Sequence, residues 1–150
     1  MRVFVQRVLE ASVVVDNEIC GEIASGVLIL LGIENADNLE DIDWLCSKIV
    51  KLRIFPDDEG IMNLSLMEAK GEALVISQFT LCASTKKGNR PSYSKAARPE
   101  VALALYEEFV FRLTQVMGKE IETGKFGADM KVSLINDGPV SIWIDSKSKE

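Results

Sequence analysis

The chain has 150 residues, of which 47% are hydrophobic and 27% charged, as expected for one globular domain with a substantial core. Its 17 basic and 23 acidic residues give a net charge of −6, which argues against sequence-blind binding to nucleic acid. Histidine is absent, which excludes Ser-His-Asp and Cys-His hydrolysis and every histidine-ligated metal site.

Membrane and redox signals are also missing from the sequence. No apolar run is long enough to span a bilayer, and the first residues lack a secretion signal, so we expect a cytoplasmic protein with no membrane partner. Cys20, Cys46 and Cys82 are widely spaced and form no CxxC pair, which favours buried, reduced thiols. We expect no metal and no cofactor.

The first half of the chain predicts strands around one helix. Valine-rich alternation over residues 3–23 predicts strands with a turn at Asp16-Asn17, and the apolar run 27–33 predicts a buried strand. Asn38 or its neighbour Asp37 then caps a helix. The loop and strand segments that follow are a loop at 56–60, a short strand at 64–67 and a central strand at 72–82.

The second half begins with an irregular basic stretch over residues 83–98. Pro99 then opens a helix that runs to Met117, with Gly118 as its C-terminal cap. We expect Val101, Leu105, Phe109 and Leu113 to form the apolar stripe of this helix. A strand candidate at 120–124, a turn at 125–127 and two strands within 131–145 complete the chain.

These elements predict an α+β fold. A mostly antiparallel sheet is partly closed into a barrel, and two main helices pack on it. We expect a single domain over residues 1–150, with a polar tail at 146–150. Trp44 and Trp143 are interpreted as core residues.

One candidate site lies at the end of the central strand. The segment Ser77-Gln-Phe-Thr-Leu81 places polar groups in an otherwise apolar run, and buried polar groups are costly unless they are satisfied. By strand alternation, Gln78 and Thr80 would lie on one face. A single threonine hydroxyl more often returns to the backbone, which is the simpler interpretation.

A second candidate site is the turn signal Asn136-Asp-Gly-Pro139, which lies between two β-rich runs. Gly138 lets bare backbone approach a ligand, and Pro139 fixes φ and makes a cis peptide accessible. The simplest interpretation is a tight turn between two core strands.

Both stretches resemble motifs of the D-aminoacyl-tRNA deacylase family. The similar segments are Ser77-Gln-Phe-Thr-Leu81, Lys87-Gly-Asn-Arg-Pro-Ser-Tyr93, Asn136-Asp-Gly-Pro-Val-Ser141 and the opening Met1-Arg-Val-Phe-Val-Gln-Arg-Val8, so the resemblance covers essentially the whole chain. The chain departs from the family at Cys82, where an aromatic residue is common, and at Ser141, where threonine is usual.

The resemblance implies a homodimeric enzyme that hydrolyses the ester between a D-amino acid and the 3′ end of tRNA, and that also removes glycine from mischarged tRNA. It implies that the Gly138–Pro139 peptide is cis. The loop then reaches across the dimer to the partner's Thr80, and its carbonyls exclude L-side chains, because a clash can supply specificity. Arg7 would help to hold this loop.

The remaining site residues follow from the same resemblance. Ser77, Gln78, Phe79 and Thr80 would line the ester with backbone N–H and hydroxyl groups. Three cations of the basic stretch, Lys86, Lys87 and Arg90, would contact tRNA phosphates, although each alone could equally belong to a solvated loop.

These residues are compatible with two mechanisms. Thr80 could attack as a nucleophile, but no base is visible to activate it. We favour attack by water, with backbone N–H groups near Phe79 and Thr80 holding the oxyanion and the 2′-OH of the terminal ribose assisting. The alternatives to this function are a Thr80-nucleophile esterase for small esters and a non-catalytic dimeric RNA-binding module.

Overall fold

The fold consists of a six-stranded mixed sheet, nearly closed into a barrel with one seam, a separate two-stranded sheet and two helices. A computed structural model describes residues 1–149. The strands are β1 (Arg2–Val15), β2 (Glu18–Ile23), β3 (Gly26–Gly32), β4 (Arg53–Pro56), β5 (Met62–Ser65), β6 (Glu72–Ser77), β7 (Glu122–Thr123) and β8 (Lys131–Asp145), and the helices are α1 (Leu39–Lys51) and α2 (Pro99–Met117). The predicted α+β class and the partly closed sheet are confirmed.

Strand β1 organises the sheet. It pairs antiparallel with β3 along its first half, with β2 along its second half and with β8 along nearly all of its length. Strands β3 and β6, and then β6 and β7, are parallel. The sequence predicted several strands over residues 3–23, but the first of them is continuous to Val15 because its alternation is never broken by a turn residue.

The helices begin and end where the sequence predicted. Asn38 caps α1, since its side chain accepts from the Glu40 N–H at 2.9 Å while the Asp41 carboxylate accepts from the Asn38 N–H at 2.9 Å. Pro99 opens α2, and Gly118 ends it with a left-handed φ of 65°. Neither helix in residues 1–149 is long and apolar enough to cross a bilayer.

The predicted apolar stripe of α2 is only partly correct. Phe109 and Leu113 are fully buried, but Val101 is 47% exposed, and Tyr106 and Met117 face the core instead. Residues spaced by four drift by about 40° per step around a helix of 3.6 residues per turn, so a long run of such steps leaves the buried face.

The core lies in two clusters on opposite faces of the sheet. The larger one packs β1 and β3 against both helices, and the smaller one fills the curled part of the sheet around Val13, Leu74 and Ile76. Two residues that were predicted from the sequence to be buried, Cys20 and Trp143, are exposed. Cys20 lies in β2 at an edge of the sheet, and Trp143 lies on the outer face of β8.

The two ends of the described chain meet beside α1. The Met1 amino group pairs with Asp37 and donates to the Ser146 hydroxyl at 2.9 Å, and Lys147 pairs with Asp41 at 2.6 Å. Residues 146–149 of the predicted polar tail are therefore docked onto the domain, and residue 150 lies outside the described residues.

Candidate functional site

The predicted central strand ends earlier than the sequence suggests. Strand β6 stops at Ser77, Gln78 adopts φ −142° and ψ 77°, and a 3₁₀ turn (Phe79–Cys82) follows. The Gln78 N–H still donates to the Leu31 carbonyl of β3 at 2.8 Å. The apolar run misled the prediction because it continues from the strand into the turn without a glycine or proline to mark the change.

Gly32 at the end of β3 gives the 3₁₀ turn the space it occupies. A Cβ on Gly32 would lie 2.8 Å from the Leu81 Cβ and 3.1 Å from the Gln78 carbonyl oxygen. The turn is therefore packed directly against the backbone of β3, at a distance that only glycine permits.

The Thr80 hydroxyl is held by its neighbour. Gln78 Nε2 donates to Thr80 Oγ1. A carboxamide N–H cannot accept a proton, so this contact orients the hydroxyl and does not activate it. In the described part of the chain no other side chain hydrogen-bonds to Thr80.

Two backbone donors at the start of the turn are free. The N–H groups of Leu81 and Ala83 donate to the carbonyls of Gln78 and Thr80, at 3.2 and 3.1 Å. Within residues 1–149, no acceptor takes the N–H of Phe79 or Thr80, as expected for the first donors of a helical turn. These two N–H groups are therefore available to a developing negative charge.

An apolar cavity of about 520 Å³ opens beside the turn. Ser77, Gln78 and Phe79 form one of its walls. Further lining residues that the sequence did not single out are Ile33, Ala97, Phe126, Met130 and Val132. Phe126 is held in place by Tyr106, with ring centroids 5.7 Å apart. The cavity can accept an aromatic or heterocyclic group next to the free N–H donors.

The basic stretch borders the same turn. The Tyr93 ring meets the Phe79 ring edge-on, with centroids 5.0 Å apart, and so joins the stretch to the turn. Lys86, Lys87 and Arg90 are all exposed, and among residues 1–149 none of them forms an ion pair. Their charges are therefore open to an anionic partner.

The Asn136-Asp-Gly-Pro139 segment is a bulge within one strand, and the prediction of a turn between two strands is wrong. Both flanks of the segment pair with β1, Asn136 opposite Val8 and Ser141 opposite Gln6. The chain therefore leaves the ladder as the β8 bulge (residues 137–140) and returns in the same direction. Asn136 braces it, since its side chain accepts from the Val140 N–H at 2.8 Å.

Arg7 of β1 holds the β8 bulge in place. It is 8% exposed, and its guanidinium donates to the Asp137 carbonyl at 3.0 Å and to the Ile54 carbonyl of β4. The Gly138–Pro139 peptide is cis, and Gly138 has a φ of 130°. A Cβ on Gly138 would lie 3.0 Å from Arg7 Nη2 and 2.8 Å from Val140 Cγ2, so glycine is required there.

Within the single chain the two candidate groups stay separate. Ser77, Gln78, Phe79 and Thr80 come together at the 3₁₀ turn, and Arg7 joins Gly138 and Pro139 at the bulge. The bulge does not contribute to the lining of the apolar cavity, and Gly138 and Pro139 are exposed.

A charged cluster that the sequence did not predict adjoins the turn. Arg2 contacts Leu81, Glu34 and Asp145, which lie 79, 32 and 143 residues away along the chain. No local pattern signals contacts of this kind. Burial by itself would lower the pKa of Arg2, but the Asp145 hydrogen bond and the Glu34 charge raise it above its ordinary value.

The cysteine that ends the turn is not a nucleophile. Cys82 is fully buried, its thiol contacts the Ile33 carbonyl at 3.6 Å, and burial raises its pKa to about 11. A thiol with this pKa is protonated at neutral pH and so is inert. In the part of the chain that the structure describes, no cluster of three or more acidic or cysteine side chains could hold a metal.

Comparison with known proteins gives a consistent result. The family model described as D-Tyr-tRNA(Tyr) deacylase matches residues 4–145. A Bacteroides thetaiotaomicron protein named D-aminoacyl-tRNA deacylase is 62% identical over 150 residues, covering 100% of both chains, and a Chromobacterium violaceum protein of the same name is 58% identical over the same length.

Solved structures show the same architecture. One titled c-Myc DNA Unwinding Element Binding Protein superposes with a TM-score of 0.92 at 39% identity, covering 97% of this chain and 98% of that one. A second, titled as a probable eukaryotic D-amino acid tRNA deacylase, has a TM-score of 0.81 at 17% identity over 95% and 97% of the two chains, and shows the shared fold.

Proposed function

This chain belongs to the D-Tyr-tRNA(Tyr) deacylase family and is an ester hydrolase for D-aminoacyl-tRNA, and we propose that it uses the 3₁₀ turn for catalysis and the β8 bulge for selection. The products are free D-amino acid and tRNA, and the reaction takes place in the cytoplasm. The observation that carries the assignment is identity of about 60% along the entire chain to proteins named for this activity.

We propose that water is the nucleophile. Its oxygen adds to the ester carbonyl, the N–H groups of Phe79 and Thr80 stabilise the oxyanion, and the bond to the ribose 3′-oxygen then breaks. The proton lost by water passes to that leaving oxygen with assistance from the neighbouring 2′-OH. The contact of Gln78 with Thr80 supports this route, since it leaves the Thr80 hydroxyl without a base.

The β8 bulge would act as the chirality gate. The carbonyls of Gly138 and Pro139 would face the α-carbon of the substrate and clash with an L-side chain, while a D-side chain points elsewhere. Arg7 supports this role because it fixes the bulge through a backbone carbonyl and through β4. Glycine has no side chain to clash, so glycyl-tRNA should also be cleaved.

We propose that the active form is a homodimer, in which the bulge of one protomer completes the cavity of the other. Exposure of Gly138 and Pro139, and their absence from the cavity of their own protomer, support this arrangement. Exposed apolar side chains flank the bulge and the turn, at 48% for Ile135, 48% for Trp143 and 56% for Phe79. A dimer interface over these residues would remove them from water.

The basic stretch would receive the tRNA. Lys86, Lys87 and Arg90 are exposed and form no ion pair within residues 1–149, in a chain of net charge −6, and the Phe79–Tyr93 contact links the stretch to the turn. Such contacts position a nucleic acid by its phosphates. Replacement of the three cations should raise KM for D-aminoacyl-tRNA, with little effect on kcat.

A time course with D-Tyr-tRNA and L-Tyr-tRNA tests the assignment. We expect release of D-tyrosine and negligible release of L-tyrosine, and an intact D-ester would overturn the proposal. Thr80→Ala should keep a residual rate, whereas a threonine nucleophile predicts none. A substrate with a 2′-deoxy terminal adenosine should react more slowly if the 2′-OH assists.

Complementation between two weakly active variants tests whether each active site is formed by both protomers. Gly138→Ala and Gln78→Ala protomers should each form a weakly active dimer. Refolded together, they should give heterodimers that contain one intact site and one doubly altered site, and activity should return. No recovery from a mixture that forms heterodimers would place the bulge and the turn in separate sites.

A second candidate function is nucleic-acid binding without catalysis. The structure titled as a DNA-unwinding-element-binding protein favours it, given 39% identity over nearly the whole chain. Retention of labelled D-aminoacyl-tRNA without ester cleavage would support this candidate, and turnover would exclude it.

A further inference from the structure

Arg2 joins three separate segments at the back of the 3₁₀ turn. Its Nη1 donates to the Leu81 carbonyl at 3.1 Å, its Nε donates to Asp145 Oδ2 at 3.0 Å, and its Nη2 pairs with Glu34 Oε1 at 3.0 Å. Leu81 belongs to the turn, Asp145 ends β8, and Glu34 follows β3.

This cluster is largely shielded from water. The side chains of Arg2, Glu34 and Asp145 are 17%, 17% and 16% exposed, and the Arg2 guanidinium also lies 5.9 Å from the centre of the Trp143 ring. A planar guanidinium can serve several acceptors at once in a fixed geometry, which an ammonium group cannot do. The cluster therefore connects the three segments through two hydrogen bonds and one ion pair.

The Leu81 carbonyl lies at the far end of the turn from the free donors. The Leu81 N–H donates to the Gln78 carbonyl at 3.2 Å, and the same residue's carbonyl is held by Arg2, so a shift of Leu81 would move the turn that carries Phe79 and Thr80. Gly32 is paired with Arg2 across the β1–β3 ladder and packs against the Leu81 side chain. Arg2 and Gly32 thus hold Leu81 from neighbouring positions of the sheet.

Glu34 extends the connection to the cavity wall. The backbone of Glu34 forms an isolated antiparallel β-bridge with Ala96, and the neighbouring Ala97 N–H donates to the Ile33 carbonyl at 2.9 Å. Ala96 and Ala97 both line the apolar cavity. A movement of Arg2 would therefore disturb both the turn and the part of the cavity wall formed by Ala96 and Ala97.

We propose that Arg2 is a positioning residue for ester hydrolysis, acting through Leu81 and Glu34 without touching the substrate. This inference rests on the proposed role of the Phe79 and Thr80 N–H groups. Arg2 keeps these donors aimed at the site of the oxyanion, so its removal slows the chemical step and leaves substrate binding intact.

Steady-state kinetics of Arg2→Met, Arg2→Lys and Arg112→Met with D-Tyr-tRNA test the proposal. We expect Arg2→Met to lower kcat roughly 10- to 100-fold with KM within about twofold, the size expected for a displaced catalytic group. Arg2→Lys should recover part of kcat, because an ammonium can hold some of the three partners. Arg112 pairs with Asp43 and Glu108 at the surface, and its variant should match wild type.

Amide hydrogen exchange gives a second readout that needs no activity. Exchange of the Leu81 and Ala83 N–H groups should accelerate in Arg2→Met, while the Gln78 N–H, which donates outside the turn to β3, should not change. The same samples are checked for folding by thermal unfolding. Uniform acceleration over the sheet would indicate general destabilisation and overturn the proposal.

The failures of the two proposals are distinguishable. A wild-type protein that leaves D-Tyr-tRNA intact overturns the proposed function, and the exchange experiment still tests Arg2. If wild type is active, a folded Arg2→Met variant with wild-type kcat overturns the positioning role, as does a loss confined to KM.

Discussion

The 3₁₀ turn and the β8 bulge are two short departures from strand geometry, and each is held by an arginine of β1. Arg2 and Arg7 are an odd number of residues apart and so leave β1 on opposite faces. Arg7 grips the bulge through the carbonyls of Asp137 and Ile54 and through an ion pair between its Nε and the Asp137 carboxylate at 3.1 Å. Arg2 grips the turn through the Leu81 carbonyl and is itself balanced by two carboxylates.

The difference concerns what each anchor depends on. The Arg7 anchor reaches β4 and combines two carbonyl acceptors, which do not titrate, with a single carboxylate partner, Asp137. The Arg2 anchor is an ionic cluster whose geometry depends on Glu34 and Asp145 remaining charged. Selection should therefore be the more robust property and turnover the more easily disturbed one.

Loss of the Arg7 anchor should have the largest effect. Arg7→Met leaves the Ile54 and Asp137 carbonyls unsatisfied, and each buried unsatisfied group costs about 1–3 kcal/mol. We expect a comparable loss of unfolding free energy in chemical denaturation and a marked fall in the preference for D-Tyr-tRNA over L-Tyr-tRNA. Arg53→Met, which removes an exposed contact to the Asn63 carbonyl, is the control and should cost far less.

A substitution in the bulge itself should affect activity more than stability. Gly138→Ala introduces a Cβ at 3.0 Å from Arg7 at a φ of 130°, a strained conformation that costs about 1–3 kcal/mol and displaces the bulge. We expect deacylation of D-Tyr-tRNA to be largely lost.

The control for Gly138 is Gly60, in the loop between β4 and β5. It has a φ of 78° with no atom within 4 Å of a new Cβ, so Gly60→Ala imposes backbone strain without a contact. Its deacylation rate should match wild type. Equal rates for both alanine variants would show that the bulge has no part in the reaction.

A substitution under the turn should separate turnover from selection. Gly32→Ala places a Cβ 2.8 Å from Leu81 and pushes the turn away from β3. We expect kcat for D-Tyr-tRNA to fall about tenfold or more, since small displacements of catalytic groups have large effects, while the D-to-L preference persists. A loss of preference with an unchanged kcat would reverse the assignment of the two regions.

The smallest expected effect is a pH dependence of the Arg2 anchor. Burial alone would raise the pKa of Asp145, but the Lys147 N–H and Arg2 hold it below the ordinary value of 3.8. A lowered folded-state pKa stabilises the fold above the ordinary pKa, and this contribution disappears as pH falls through the folded value. Glu34 lies in the same cluster and stays unchanged in the comparison.

Denaturation of wild type and Asp145→Asn at several pH values measures this effect. The free energy of unfolding of wild type should exceed that of the variant by about 1 kcal/mol or less at neutral pH, and the difference should vanish in strong acid. A difference that grows on acidification would contradict the lowered pKa.

Much of the fold could be predicted because its signals are local. Asn38, Pro99 and Gly118 mark helix ends by their own chemistry, and Asp16-Asn17 forms a turn with φ of 51° and 65°. The alternation of valines likewise predicts β1. Each of these features depends on residues within a few positions of one another.

The site was harder to predict because its geometry depends on distant partners. The apolar segment after Ser77 has strand composition, and it becomes a turn where Gly32 and Arg2 receive Leu81. The bulge resembles a hairpin turn in sequence, and only pairing of both flanks with β1 reveals its form. Motif similarity located the residues of the site, but contacts between distant segments determined their arrangement.

The register around the β8 bulge has a consequence for how this family of proteins can vary. Between Asn136 and Ser141 the strand advances five positions while β1 advances only two, from Val8 to Gln6, and pairing resumes on both sides. The extra residues of β8 therefore form a loop. The number of residues in this loop does not affect how the two flanks of β8 pair with β1. A change in the length of residues 137–140 therefore leaves the register of β8 with β1 unchanged on both sides, whereas Arg7 and the packing of Val140 constrain which residues the bulge contains.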